Sequence, residues 1–283
     1  MLILFSLVNI PCDYLYIRPN DIIMYKSMFL RGVNMKKIKA KIHYLYHDGF
    51  AVETENYFLV FDYYNNTPIG EEMNLENGVI GPNDIKNKKN VLVFSSHGHH
   101  DHFNPVILEW EKYNTNIKYI LSSDITLPEY KNNYIMMWEN KTLELEDVYI
   151  KTFHSTDIGV AFLVQVDGIT LFHSGDLNWW NWTDEPIGHR VKMELDFKKE
   201  MNKVCEHNID IAFFPVDPRL NEFSHIGGEY FINKVQPKMF IPMHFWAKNS
   251  ITRDFKNKIL QNNTEIHTNI VEIKSRGQII NFI

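Results

Sequence analysis

The stretch Val91-Leu92-Val93-Phe94-Ser95-Ser96-His97-Gly98-His99-His100-Asp101-His102-Phe103-Asn104-Pro105 decides how this chain is read. Val91 to Phe94 is a short apolar run, the signature of a strand buried on both faces. It leads straight into His97, His99, His100, Asp101 and His102. Asn104-Pro105 then starts a helix, with Asn as N-cap and Pro in the first turn, where its missing N–H is not needed. In an extended segment residues two apart point the same way, so His97 and His99 can reach one metal together. Asp101 and His102 lie where the chain turns into the helix and can face a second metal. Imidazole and carboxylate suit zinc, iron or manganese. His100 takes no role in this scheme.

On the N-terminal side, Ile38–Tyr46, Gly49–Val52 and Tyr57–Asp62 read as strands, and residues 65–90 as a long loop rich in Asn, Gly, Pro and Lys. On the C-terminal side, strands are expected at Ile117–Leu121, Val148–Phe153, Gly159–Val166 and Ile169–His173. The last two are joined by an Asp167-Gly168 hairpin. A helix over 190–207, a strand at Ile209–Phe214, a helix over 228–235, a strand at Met239–Pro242 and two strands in the tail follow. Strands and helices mix throughout, which argues for α/β layers. One cluster cannot fill two coordination spheres, because a catalytic site takes three protein ligands and leaves a position for water. His154, Asp176 and His244 each stand just past an expected strand and are the candidates for the remainder.

The set His-x-His-x-Asp-His, then a single His, a Gly-Asp and a final His after a Pro-containing strand resembles the metallo-β-lactamase superfamily, from about Ile38 to the C-terminus. The resemblance implies an αββα sandwich with two divalent metals in a cleft at one edge; zinc is expected, with manganese and iron as alternatives. It implies that His97, His99 and His154 hold the first metal, that Asp101, His102 and His244 hold the second, and that Asp176 bridges them. Asp62 matches an early aspartate with a structural or supporting role. After His154 comes Ser155-Thr156-Asp157, where the family often has Pro-Gly-His. His47-Asp48-Gly49-Phe50 resembles the Gly-His-x-x-Phe start of the branch that holds ascorbate-phosphate lactonases and N-acyl-phosphatidylethanolamine phospholipases, with Tyr46 in place of the Gly.

The implied activity is a dinuclear metal-dependent hydrolase, with a metal-bridging hydroxide attacking an ester, lactone or phosphoester of a small molecule. Two metals lower the pKa of a shared water from ~16 towards ~7, so no Ser or Cys nucleophile is needed. Asp101 is the expected catalytic residue, orienting that water. His47, Trp179, Trp180 and Arg219 are candidates for the substrate side; Arg219 suits a phosphate or carboxylate.

Composition limits the rivals. The 283 residues carry a formal charge of −6, and no long Lys/Arg block is present. That weakens a nuclease or phosphodiesterase of the same superfamily, and no nucleic-acid partner is expected. A non-enzymatic relative would not need the full ligand set. Cys12 and Cys205 build no disulfide framework, and no apolar run reaches 18 residues, so a cytoplasmic protein without a membrane partner is expected. Residues 1–34 read as an extension ahead of the domain at 35–283, since Met35-Lys36-Lys37 would be a natural start.

Overall fold

Two seven-stranded mixed sheets stack face to face. The computed structural model describes residues 37–262 and 265–283, so the expected extension at 1–34 lies outside the described residues. The first sheet has the order β14-β1-β2-β3-β4-β5-β6 and the second β13-β12-β11-β10-β9-β8-β7. In chain order the first strands are β1 (Ala40–Tyr46), β2 (Gly49–Glu53), β3 (Phe58–Phe61), β4 (Val91–Ser95), β5 (Ile117–Ser122) and β6 (Tyr134–Met137). The second sheet follows as β7 (Thr142–Leu145), β8 (Val148–His154), β9 (Val160–Val166), β10 (Ile169–His173), β11 (Ile211–Pro215), β12 (Met239–Met243) and β13 (Asn269–Ile270). The last strand, β14 (Ile279–Phe282), returns to the first sheet and pairs antiparallel with β1.

Alternation along each strand explains the continuous apolar runs. Tyr44, Phe50, Leu59, Phe61 and Phe94 of the first sheet meet Ile150, Phe162, Leu171, Phe213 and Ile241 of the second in the central core. The intervening Phe58, Val60, Val93 and Tyr119 face outward, against Ile107 and Trp110 of the turn of 3-10 helix at Pro105–Lys112. On the opposite outer face, Leu163, Phe172 and Phe214 pack under three helices. The single turn α1 (Pro82–Ile85) belongs to the first outer layer. Helices α2 (Ile187–Val204), α3 (Ile226–Val235) and α4 (Ser250–Asn262) supply Phe197, Phe231 and Phe255 to the second. The result is the αββα sandwich.

Three local features depart from the sequence expectation. The segment after Asn104 is a 3-10 turn rather than an α-helix; Asn104 still caps it, accepting from the Val106 N–H at 3.0 Å. Strands β6 and β7 were not expected; each is an outer strand of its sheet, and β7 has half its residues exposed, which blunts the hydrophobic signal. The 65–90 loop contains short turns and is pinned by Arg276, which donates to the carbonyls of Asn65, Thr67, Gly78 and Leu45.

Strand direction places the chemistry. β3, β4, β5 and β6 run parallel, as do β10, β11 and β12. Their carboxyl ends release Asp62, His97, Asp176, Asp217 and His244 at one edge of the sandwich, the position where open α/β sheets bind ligands.

Candidate metal centre

His97 follows β4 directly, and Gly159 and Gly175 let neighbouring backbone approach it. Both glycines have positive φ, and a Cβ on Gly159 would lie 2.1 Å from the Ser96 carbonyl oxygen. The cluster is held from below by Asp62. Its carboxylate accepts from Ser96 N at 2.7 Å, from Ser96 Oγ at 2.6 Å and from His102 Nδ1 at 2.8 Å. Burial raises the Asp62 pKa, but His173, His102 and Ser96 outweigh it and hold the carboxyl below its ordinary value. The supporting role expected of Asp62 has this physical form. His47, Asp62 and His244 all have φ between 41° and 64°. Non-glycine residues in that region cost on the order of 1–3 kcal/mol each, and such strain clusters at functional sites.

Among the described residues, three groups of side chains converge closely enough to hold an ion: His97, His102 and Asp176; His99, Asp157 and Asp176; and His47, Asp101, His102 and His244. Asp176 stands between them. Its Oδ2 lies 3.6 Å from His97 Nε2, while its Oδ1 lies 3.3 Å from His102 Nε2 and 3.2 Å from His244 Nε2. The Trp180 indole N–H donates to the Asp176 carbonyl at 2.8 Å and fixes this segment.

Tautomers sort the histidines. His102 donates Nδ1–H to Asp62, and His244 donates Nδ1–H to Asp217 at 2.9 Å. Each neutral ring is therefore left with a lone pair on Nε2, as metal-binding histidines oriented by a carboxylate require. His47 has the opposite tautomer, because its Nδ1 accepts from the Trp246 N–H at 3.0 Å. Its Nε2 then carries the proton and is a donor rather than a ligand.

The electrostatics call for a cation. Burial lowers the His102 imidazole, but the carboxylates of Asp176, Asp48 and Asp62 outweigh it and push it up to about 10. Burial likewise opposes protonation of His244, yet Asp48 and Asp176 raise it well above its ordinary value. Burial alone dominates at His97 and His47, lowering them to about 4 and about 3. His102 Nε2 and Asp176 Oδ1 are buried and have no hydrogen-bond partner. Buried polar atoms are almost always satisfied, so an orphaned set that converges on common points needs a ligand. Two imidazoles driven to keep protons by surrounding carboxylates are the arrangement in which a divalent cation displaces those protons. The donor set fits the metals that the sequence implies.

The structure does not bring His154 to this cluster. It is the last residue of β8, not a residue beyond it, and it shares a strand face with Thr152. Both point toward the segment 138–141: Thr152 Oγ1 donates to the Trp138 carbonyl, and His154 Nδ1 lies 2.5 Å from Glu139 Oε2 with its side chain 48% exposed. Asp157, three residues on in the turn before β9, comes to His99 and Asp176 in its place. The sequence signal was the departure from Pro-Gly-His after His154. Asp48 and Asp217 were also missed beside the cluster; each follows a strand, Asp48 on an open position of the His47–Phe50 motif and Asp217 with no motif around it.

A cavity of about 480 Å³ opens over the cluster, lined by His99, Asp101, Thr156, Asp157, Trp180, Trp182 and Arg219, among others. Trp180 and Trp182 stack parallel with centroids 5.9 Å apart, and the Arg219 guanidinium lies 5.5 Å over Trp182. Arg219 is also forked onto Asp217, the carboxylate that holds His244. Trp179 faces away from the cavity, packing on Phe197 and Tyr230 beneath Lys198. His47 is fully buried and does not line the cavity. His225 pairs with Glu229.

No sequence family and no curated protein matches this chain. Solved structures do. The chain is similar to Igni18, a metallo hydrolase from the archaeon Ignicoccus hospitalis, with 17% identity, a TM-score of 0.58, and 86% of this chain and 98% of that one covered. It is similar to YhfI, a metallo-β-lactamase fold protein from Bacillus subtilis, at 12% identity and a TM-score of 0.56, covering 87% and 100%. CmlA, a diiron β-hydroxylase from Streptomyces venezuelae, aligns at 10% identity and a TM-score of 0.51, covering 79% of this chain and 52% of that one. Layer order, strand topology and these likenesses together establish that the chain is built on the metallo-β-lactamase fold.

Proposed function

We propose that the chain is a dinuclear metal-dependent hydrolase acting on an ester, lactone or phosphoester of a small molecule. One observation carries the reading: buried, partnerless donors of His102 and Asp176 face each other with their ring partners already fixed by carboxylates. His97, His99 and Asp157 would hold the first metal, Asp101, His102 and His244 the second, and Asp176, which reaches both sets, would serve both. Bound metals supply an acidified water and a Lewis acid for the attacked oxygen.

The chain's own residues supply the rest. Burial raises the Asp101 pKa, but His47 and His102 outweigh it and keep the carboxyl well below its ordinary value. Asp101 also lines the cavity, so it is ionised there and accepts a hydrogen bond from a water, which orients that water toward a substrate. Trp182 offers a flat apolar wall and Arg219 a cationic rim, a combination suited to a small substrate with an anionic group. The likeness to the Ignicoccus metallo hydrolase supports the same class.

Metal analysis of the purified full chain, with a panel of lactones, phosphomonoesters and phosphodiesters, tests the reading. Two equivalents of metal and turnover of one substrate class are expected, with Asp101→Asn losing at least ~100-fold in kcat. A chain that binds no metal after loading and turns over nothing would sink the proposal. The carboxylate of Asp157 beside His99 favours one second reading, a diiron hydroxylase akin to CmlA; iron in the purified protein with oxygen consumption and no hydrolysis would select it.

A further inference from the structure

Asp48 sits in the turn between β1 and β2, beside the group formed by His47, Asp101, His102 and His244. It is fully buried, and neither of its carboxylate oxygens has a hydrogen-bond partner. Its backbone is held, because its carbonyl accepts from His173 Nε2 at 2.9 Å. A buried carboxylate with no partner costs several kcal/mol unless a proton or a cation relieves it.

Three imidazole nitrogens surround its Oδ2: His47 Nε2 at 3.1 Å, His102 Nε2 at 3.5 Å and His244 Nε2 at 3.9 Å. Their tautomers divide them. His47 presents an N–H, because the Trp246 amide occupies its Nδ1. His102 and His244 present lone pairs, because Asp62 and Asp217 hold their Nδ1 protons. With the rings neutral, as metal binding requires, a carboxylate oxygen facing two lone pairs needs a cation between them, the role that protons on His102 and His244 fill in the metal-free chain. Asp176 Oδ1 faces the same two lone pairs, at 3.3 Å and 3.2 Å. Asp48 Oδ2 and Asp176 Oδ1 lie 3.2 to 3.9 Å from the two nitrogens, close enough for all four atoms to converge on one ion.

We infer that Asp48 is itself a ligand of the second metal, and that His47, whose Nε2 lies 3.1 Å from its Oδ2, is the positioning residue beside its carboxylate. The inference rests on the metal-centre reading above. It gives the second site the nitrogens of His102 and His244 and the carboxylates of Asp48, Asp101 and Asp176. Such an oxygen-rich set is suited to manganese or iron.

The test titrates the chelator-stripped full chain with Zn²⁺ and with Mn²⁺, following Mn²⁺ by its paramagnetic resonance. In Asp48→Asn one of the two sites should weaken at least ~100-fold and the other by less than about threefold. The metal-free variant should melt no lower than the metal-free parent, because asparagine keeps the shape of a carboxyl group that makes no hydrogen bond in the metal-free chain. His47→Ala should weaken the same site about tenfold, and His47→Gln, which keeps a donor near the Nε2 position, should recover most of that loss. These His47 variants carry the test should Asp48→Asn fail to fold. Two unchanged sites in Asp48→Asn, or equal weakening of both with a lowered metal-free melting point, overturns the ligand assignment. A parent chain that binds no metal overturns this inference and the hydrolase reading together; a parent with two metals and an unchanged Asp48→Asn overturns this inference alone.

Discussion

At the scale of single residues, the centre depends on carboxylates that touch no substrate. Asp217 is fully buried, accepts from His244 Nδ1 and is forked by Arg219. Replacing it with Asn keeps the shape but removes the charge and lets the amide donate, so the His244 tautomer is no longer enforced. Asp217→Asn should weaken metal binding about 10- to 100-fold in a titration, with the far-ultraviolet spectrum unchanged. A second residue-scale effect lies away from the site. Glu53 is held down to about 2 by its hydrogen bond to His43 at 2.7 Å and by Lys88 at 2.5 Å, against the raising effect of burial. A depressed carboxylate stabilises the fold above its unfolded value of about 4.5, and that contribution is lost as pH falls towards 2. Glu53→Gln should therefore cost roughly 1 kcal/mol at neutral pH after screening. In urea titrations the gap between the two proteins should close between about pH 4.5 and pH 2; a constant gap would show that the charge is not its source.

At the scale of elements, the site exists because loop backbones pass unusually close. Gly175, between β10 and Asp176, has φ 50°, and a Cβ there would meet Ser96 Cβ at 2.6 Å. Gly175→Ala combines backbone strain with overpacking, on the order of 2–4 kcal/mol. It should lower the urea midpoint by that amount and, by displacing Ser96 and Asp176, weaken metal binding too. An unchanged midpoint would show that the loops can separate freely. Elements also explain what sequence reading reached. The buried runs of β3, β4 and β9 were legible because strands covered on both faces are apolar throughout. Edge strand β7 was not, because half of its residues face water. His154 looked like a residue beyond a strand end; one more ladder pair, to Val160, keeps it inside β8 and turns its ring toward Glu139.

At the scale of the whole molecule, the centre joins the two sheets. Asp62, His97 and His102 come from the ends of the first, and Asp176, Asp217 and His244 from the second. Metal bound across that seam favours the folded state by mass action. At free metal near 1,000 times Kd the stabilisation is about 4 kcal/mol. Chelation should then lower Tm by on the order of 10 °C in a protein of this size, and restoring metal should recover it. A melting point indifferent to chelator and metal would show that the seam holds without a cation. Among the described residues no helix is long and apolar enough to cross a membrane.

The sequence by itself determined the fold and the cluster of histidines and carboxylates at one edge of it. His97, His99, Asp101 and His102 are near neighbours in the chain, and the turn that follows β4 gathers them at the end of that strand. Tertiary structure decided everything that depends on loops meeting from distant strands: Asp157 in the place expected for His154, Trp182 over the cavity while Trp179 packs beneath a helix, and Asp48 beside the group of His47, Asp101, His102 and His244. The physical reason is that a ligand is chosen by where its side chain points. That direction follows from strand register, from backbone φ at residues such as His47 and His244, and from which carboxylate holds each ring proton. None of these is a local property of the sequence.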